Sequence, residues 1–169
     1  EALQELMNGA RRDSTVDAGL QDAREMIDWA REISAKPSAD VPLSPSAARS
    51  RLVIQFVDRL MKSKRNRLSG HDASEGALYV LYCAVLALHP AAPNCLAVDN
   101  LDQALNPRLA QRLMTSLCNW TKRRNGARQW LVTAHNPAIL DGLPFDQDDV
   151  RLFAVDRNNQ GHTVTRRID

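Results

Sequence analysis

Asn94-Cys95-Leu96-Ala97-Val98-Asp99-Asn100 is the stretch on which the reading of this chain turns. Apolar residues run directly into an acid. Pro93 and Asn94 mark the entry, and Leu101-Asp102-Gln103-Ala104-Leu105-Asn106-Pro107 follows. A short apolar run between turn signals predicts a fully buried strand of a parallel sheet. A carboxylate at the C-terminal end of such a strand lies in the crevice where open α/β sheets bind ligands. The same acid can instead cap the segment that follows it. Its neighbours decide between the two.

Downstream, Pro107 stands at the first turn of a predicted helix with Asn106 as its cap. Leu109, Leu113, Leu117 and Trp120 keep helical spacing. Lys122, Arg123 and Arg124 complement the C-terminal end of the dipole, and Asn125-Gly126 breaks the helix. Gln129-Trp130-Leu131-Val132-Thr133 reads as the next buried strand and runs into Ala134-His135-Asn136-Pro137. Strand, helix, strand makes a βαβ unit with a parallel sheet. Pro137 to Leu140 predicts a short helix ending near Gly142. Val150–Val155 and His162–Arg167 alternate as two strands around Asn158, Asn159 and Gly161, a terminal antiparallel hairpin.

Upstream, Ala77 to Leu88 is apolar nearly all round, which predicts a buried helix. The polar segment Leu68-Ser69-Gly70-His71-Asp72-Ala73-Ser74-Glu75-Gly76 leads into it. A helix N-terminus has free N–H groups and the positive dipole end, which suit a phosphate. Ser74 is either a simple N-cap or a phosphate ligand that also caps. Arg51–Val57 is strand-like. Arg59, Lys62, Lys64, Arg65 and Arg67 follow as a basic cluster, either a solvated face or a contact for phosphates. Residues 36–50, with Pro37, Pro42 and Pro45, predict a linker or long surface loop. Residues 1–35 read as a helical segment: one short helix over Glu1–Gly9 and a longer one over Asp17–Ser34. Leu20, Ala23, Ile27, Ala30 and Ile33 form the stripe of the second.

The totals set bounds. A chain of 169 residues suggests one domain with a real core. Its 44% apolar and 25% charged residues are those of a soluble globular protein, and a net charge of +2 does not announce a nucleic-acid binder. Cys83, Cys95 and Cys118 form no CxxC or metal-like spacing, which implies reduced, buried thiols in a cytoplasmic protein. The apolar run Ala77–Leu88 is far short of the ~20 residues that span a bilayer.

Taken together, these pieces resemble the C-terminal half of ABC-type ATPases, in the RecF/SMC/OLD-like branch of predicted AAA-type ATPases. Ala73-Ser74-Glu75-Gly76-Ala77-Leu78 is similar to their signature motif, Leu96-Ala97-Val98-Asp99 to Walker B, and Thr133-Ala134-His135-Asn136-Pro137 to the switch-histidine loop. The resemblance spans roughly residues 51–169. It implies an α/β fold, the C-terminal part of a P-loop NTPase, with a parallel sheet core flanked by helices. It also implies ATP as ligand and Mg²⁺ held through water by Asp99. His135 would act at the γ-phosphate, and Ser74, Glu75 and Gly76 would bind nucleotide in trans across an ATP-dependent homodimer. Such families serve DNA repair or maintenance and anti-phage defence, so nucleic acid or an effector protein are implied partners.

The pattern departs from the family in two places. No GxxxxGK[ST] occurs, so the Walker A loop that cradles phosphates is expected on an N-terminal lobe elsewhere. The start at Glu1 rather than Met fits a fragment, and this chain alone is expected to be inactive. Asn100 also stands where the family's catalytic Glu usually does. An amide orients water but accepts its proton poorly. Either hydrolysis is slow, or Asp102 takes over, or the protein is an ATP-binding sensor that recruits an effector with little turnover.

Overall fold

The computed structural model describes residues 1–10, 13–43, 50–123, 128–146 and 149–168. Two helices lead: α1 (Ala2–Ala10) and α2 (Ser14–Met26). The strands β1 (Ala30–Pro37), β2 (Leu52–Asp58) and β3 (Arg67–Ser69) form an antiparallel sheet in the order β1-β2-β3. Then come α3 (Glu75–Leu88), β4 (Cys95–Val98), α4 (Pro107–Arg123) and β5 (Gln129–Val132), with β4 parallel to β5. A 3₁₀ turn (Pro137–Gly142) follows, and the chain closes on the antiparallel hairpin of β6 (Leu152–Arg157) and β7 (Thr163–Ile168). The βαβ unit, the short helical turn and the terminal hairpin are therefore where the sequence places them.

The helices share one hydrophobic core. Leu6 of α1, Leu20 and Ala23 of α2, Val80, Ala84 and Leu88 of α3, and Leu113 and Trp120 of α4 all belong to it. The partner that the N-terminal helices need is thus within the chain. Gly19 of α2 sits against Leu88, where a Cβ would meet Leu88 Cδ1 at 2.6 Å. Asp22 of α2 accepts from the Trp120 indole N–H at 3.0 Å and from Arg123 at 2.8 Å, which lets a fully buried Trp keep its donor satisfied.

Three expectations are corrected. The helix expected over Asp17–Ser34 starts at Ser14, capped by Asp13, and stops at Met26. Ala30 and Ile33 belong to β1, where Ile33 pairs with Phe56 of β2. Trp29 packs on the Phe56 ring at 5.3 Å. Pairing with a β-favouring neighbour has overridden a helical spacing. The expected linker from residue 36 likewise begins inside β1, with a 3₁₀ turn at Ser38–Asp40; residues 44–49 lie outside the described residues, as do Arg124, Asn125 and Gly126.

The parallel core is the third correction. Among the described residues it has only two strands, and it is covered on one side. Val98, Trp130 and Val132 face the core, while Cys95, Ala97, Gln129 and Leu131 are exposed, Leu131 by 66%. Parallel strands are normally buried on both faces. Of the thiols expected to be buried, Cys83 is buried, Cys118 is intermediate and Cys95 is exposed on that uncovered face.

Candidate functional site at the tips of β4 and β5

The register Val98↔Val132 brings the C-terminal ends of β4 and β5 level, so Asp99 and Thr133 leave the sheet side by side. Backbone bonds lock the exit: Thr133 N–H donates to Val98 O at 3.0 Å, and Leu101 N–H donates to Thr133 O at 3.0 Å. The Thr133 hydroxyl does double duty. It donates a short hydrogen bond to Asp99 Oδ1 and accepts from the Asn100 backbone N–H at 2.9 Å. To reach it, Asn100 adopts φ +52°, the left-handed region that Asn tolerates better than most side chains. Asp99 does not cap α4. That role falls to Asn106, whose Oδ1 accepts from Leu109 N–H at 2.9 Å.

Asp102 reaches the loop after β5. Its carboxylate accepts from the backbone N–H of His135 at 3.2 Å and of Asn136 at 2.6 Å. Asn136 then caps the next turn, accepting from Ala138 N–H at 3.0 Å. Asp99, Asn100, Asp102 and His135 are therefore gathered at one end of the parallel pair by hydrogen bonds between the two strand-to-helix loops. The His135 residue itself is exposed.

Ser74 is the N-cap of α3, its hydroxyl accepting from Ala77 N–H at 3.3 Å, with Glu75 in the first turn. Gly76 packs against the segment after Asp99: a Cβ there would lie 3.0 Å from Ala104 O. One turn on in α3 stands Tyr79. The phenol pKa rises to about 12, chiefly through burial and then through Cys83, Tyr82 and Asp102. Among the described residues, no hydrogen bond joins Ser74, Glu75 or Gly76 to Asp99, Asn100 or His135. The signature-like helix end flanks the acid's loop without bonding to the acid itself.

The donor set suits Mg²⁺. That ion prefers one or two carboxylates and keeps much of its water. Asp99 is a single exposed carboxylate, held in orientation by a hydroxyl. Among the described residues, no three His, Cys, Asp or Glu side chains cluster as an all-protein metal cage.

Sequence reasoning gave no role to Thr133, although its position at a strand end facing an acid was the available signal. It also passed over Arg128. This buried arginine precedes β5 and donates to the carbonyls of Leu86, at 3.1 Å, Ala87 and His89, so it closes the C-terminal end of α3.

No protein-family model matches this chain, and no curated protein matches it in sequence. Among the described residues, no helix is long and apolar enough to cross a membrane. A solved chain from structural work on the ATP-driven dimerization and DNA stimulated activation of SMC ATPases is similar in fold. The two are 13% identical, the match covers 90% of this chain and 86% of that one, and the TM-score is 0.52. At that identity the likeness speaks of architecture: this chain has an ABC/SMC ATPase-like α/β fold.

Proposed function

We propose that residues 51–169 act as the C-terminal lobe of an ABC-type ATPase that binds ATP with Mg²⁺ and hydrolyses it in the complete protein. The carrying observation is the joining of Asp99, Asn100, Asp102 and His135 at adjacent parallel strand tips. The likeness to an SMC ATPase chain supports the same reading. The uncovered apolar face of β4–β5 is where a lobe carrying Walker A would pack. That lobe would supply the phosphate cradle that this sequence lacks.

Bound at Asp99 through water, Mg²⁺ would offset charge on the transferring phosphoryl group. The chain's own residues act by position. Thr133 fixes the Asp99 carboxylate. Asp102 holds the loop that presents His135 toward the attacking water and γ-phosphate. Ser74, Glu75 and Gly76 would meet the nucleotide of a second copy, making association ATP-dependent. A cytoplasmic role in DNA maintenance or anti-phage defence, on nucleic acid or with an effector, completes the proposal.

A second reading has its own support. Asn100 lacks a carboxylate, and Asp102 already has its oxygens engaged by two backbone N–H groups. Both features favour an ATP-binding sensor with slow turnover. Phosphate release by the complete protein separates the two readings. A large gain in Asn100→Glu identifies the sensor, and an already fast wild type identifies the enzyme. Failure of Asp99→Ala to weaken Mg²⁺-dependent nucleotide binding would remove both.

A further inference from the structure

The antiparallel sheet has a second polar site, on the face turned away from the core. Ile54 and Phe56 of β2 point to the core; Val53, Gln55 and Val57 take the other face. Gln55 is 1% exposed, yet among the described residues neither its Nε2 nor its Oε1 has a hydrogen-bond partner. Ser34, directly opposite on β1, also has a buried hydroxyl with no partner among the described residues. Two adjacent buried polar groups left unpaired are costly to a fold, and native proteins keep such groups where something else uses them.

Gln55 lines a pocket of about 190 Å³ together with Arg31, Lys36 and Arg67. The ladder explains the grouping. Arg67 pairs with Val57 and Lys36 with Val53, the neighbours of Gln55 on its own face. A register shift between Ala30 and Glu32 leaves Arg31 without a ladder partner, and such bulges re-aim side chains. Among the described residues, Glu32 is the single acid of the lining. None of the three cations has an ion pair among the described residues. The adjoining loop adds exposed Lys62, Lys64 and Arg65.

We propose that this face binds a nucleotide unit, its phosphate on Arg31, Lys36 and Arg67 and its base edge on the Gln55 amide. Guanidinium and ammonium groups suit phosphate, and a Gln amide offers the paired donor and acceptor that an adenine edge requires. The volume is below the ~300 Å³ of pockets that enclose whole drug-sized ligands, so one phosphate and part of its nucleoside fit, not a triphosphate. The site is separate from Asp99 and does not depend on the ATPase reading.

Calorimetric titration of the chain with AMP, inorganic phosphate and a single-stranded deoxyadenosine decamer tests it. Saturable AMP binding tighter than phosphate is expected, weakened about tenfold in each of Arg31→Ala, Lys36→Ala and Arg67→Ala. Arg108→Ala, outside the lining, should leave it unchanged. Gln55→Leu should abolish the advantage of AMP over phosphate while raising Tm, because it removes an unpaired buried amide. A decamer that binds more tightly than AMP, with the same variant sensitivity, identifies a strand as the source; equal or weaker binding identifies the free nucleotide. Absence of saturable binding by all three probes overturns the proposal, as does equal weakening by Arg108→Ala. Should Gln55→Leu fail to fold, the three surface variants decide alone.

Discussion

Asp102 Oδ2 accepts the backbone N–H of Asn136 at 2.6 Å, across the gap between the two strand-to-helix loops. The same carboxylate takes the His135 N–H, so one side chain fixes the backbone on which the imidazole stands. Asp102→Ala orphans both donors and should cost about 2 kcal/mol. Hydrogen exchange at the His135 and Asn136 amides should accelerate far more than at Val98 or Val132. Uniform acceleration over β4 and β5 would mean that Asp102 supports the sheet, not the loop.

Asn100 holds φ +52° so that its N–H can reach Thr133. A Glu at this position has no such tolerance for left-handed backbone. Asn100→Glu should therefore lose about 1 kcal/mol of stability, while Asn100→Gly should be close to neutral. Urea denaturation of the two variants checks this. A Gly variant as unstable as the Glu variant would show that the amide side chain, not the backbone, matters.

How much of this was legible in the sequence follows from where the forces are local. Asn106 and Pro107 start α4 with their own side chains, and the β4–α4–β5 unit follows from alternating apolar runs and turn residues. Asp99 directly follows β4, and His135 lies three residues past the end of β5. The strand β1 was hidden because Ile33 and Ala30 fit a helical stripe, and only pairing with β2, more than twenty residues later, decides against it. The open side of β4–β5 was hidden too: an apolar run reads alike whether one face or both are covered. Arg128 finds its carbonyl partners some forty residues away, which no local pattern encodes.

Glycines at helix contacts give a contrast. A Cβ on Gly142 would lie 2.4 Å from Gln111 O, a backbone atom that α4 holds in place. On Gly76 it would lie 3.0 Å from Ala104 O, a backbone atom of a turn rather than of a helix. Gly142→Ala should cost about 3 kcal/mol, on the order of 10 °C in Tm, and Gly76→Ala clearly less. Calorimetric melting of both variants tests the order; the reverse order would contradict these contacts.

The chain should weaken in alkali. Burial raises the Cys83 thiol from 9.0 to about 12, and the Tyr79 phenol also stands at about 12. From about pH 9 for the thiol and about pH 10 for the phenol, up to about 12, the unfolded chain loses these protons while the folded chain retains them, so stability falls as pH rises. It is fully present below pH 9. Tyr79→Phe and Cys83→Ala should each flatten the fall in a pH series of denaturation curves. Unchanged slopes would place the alkaline sensitivity elsewhere.

The most direct measurement is Mg²⁺-dependent release of phosphate from ATP, by this chain alone and by the complete protein with the proposed Walker A lobe. The chain alone should show none. The complete protein should show turnover, however slow, that falls by about a hundredfold or more in Asp99→Ala. Turnover by the isolated chain, or turnover in the complete protein that survives Asp99→Ala, would contradict the assignment of half a phosphate-handling site to the tips of β4 and β5.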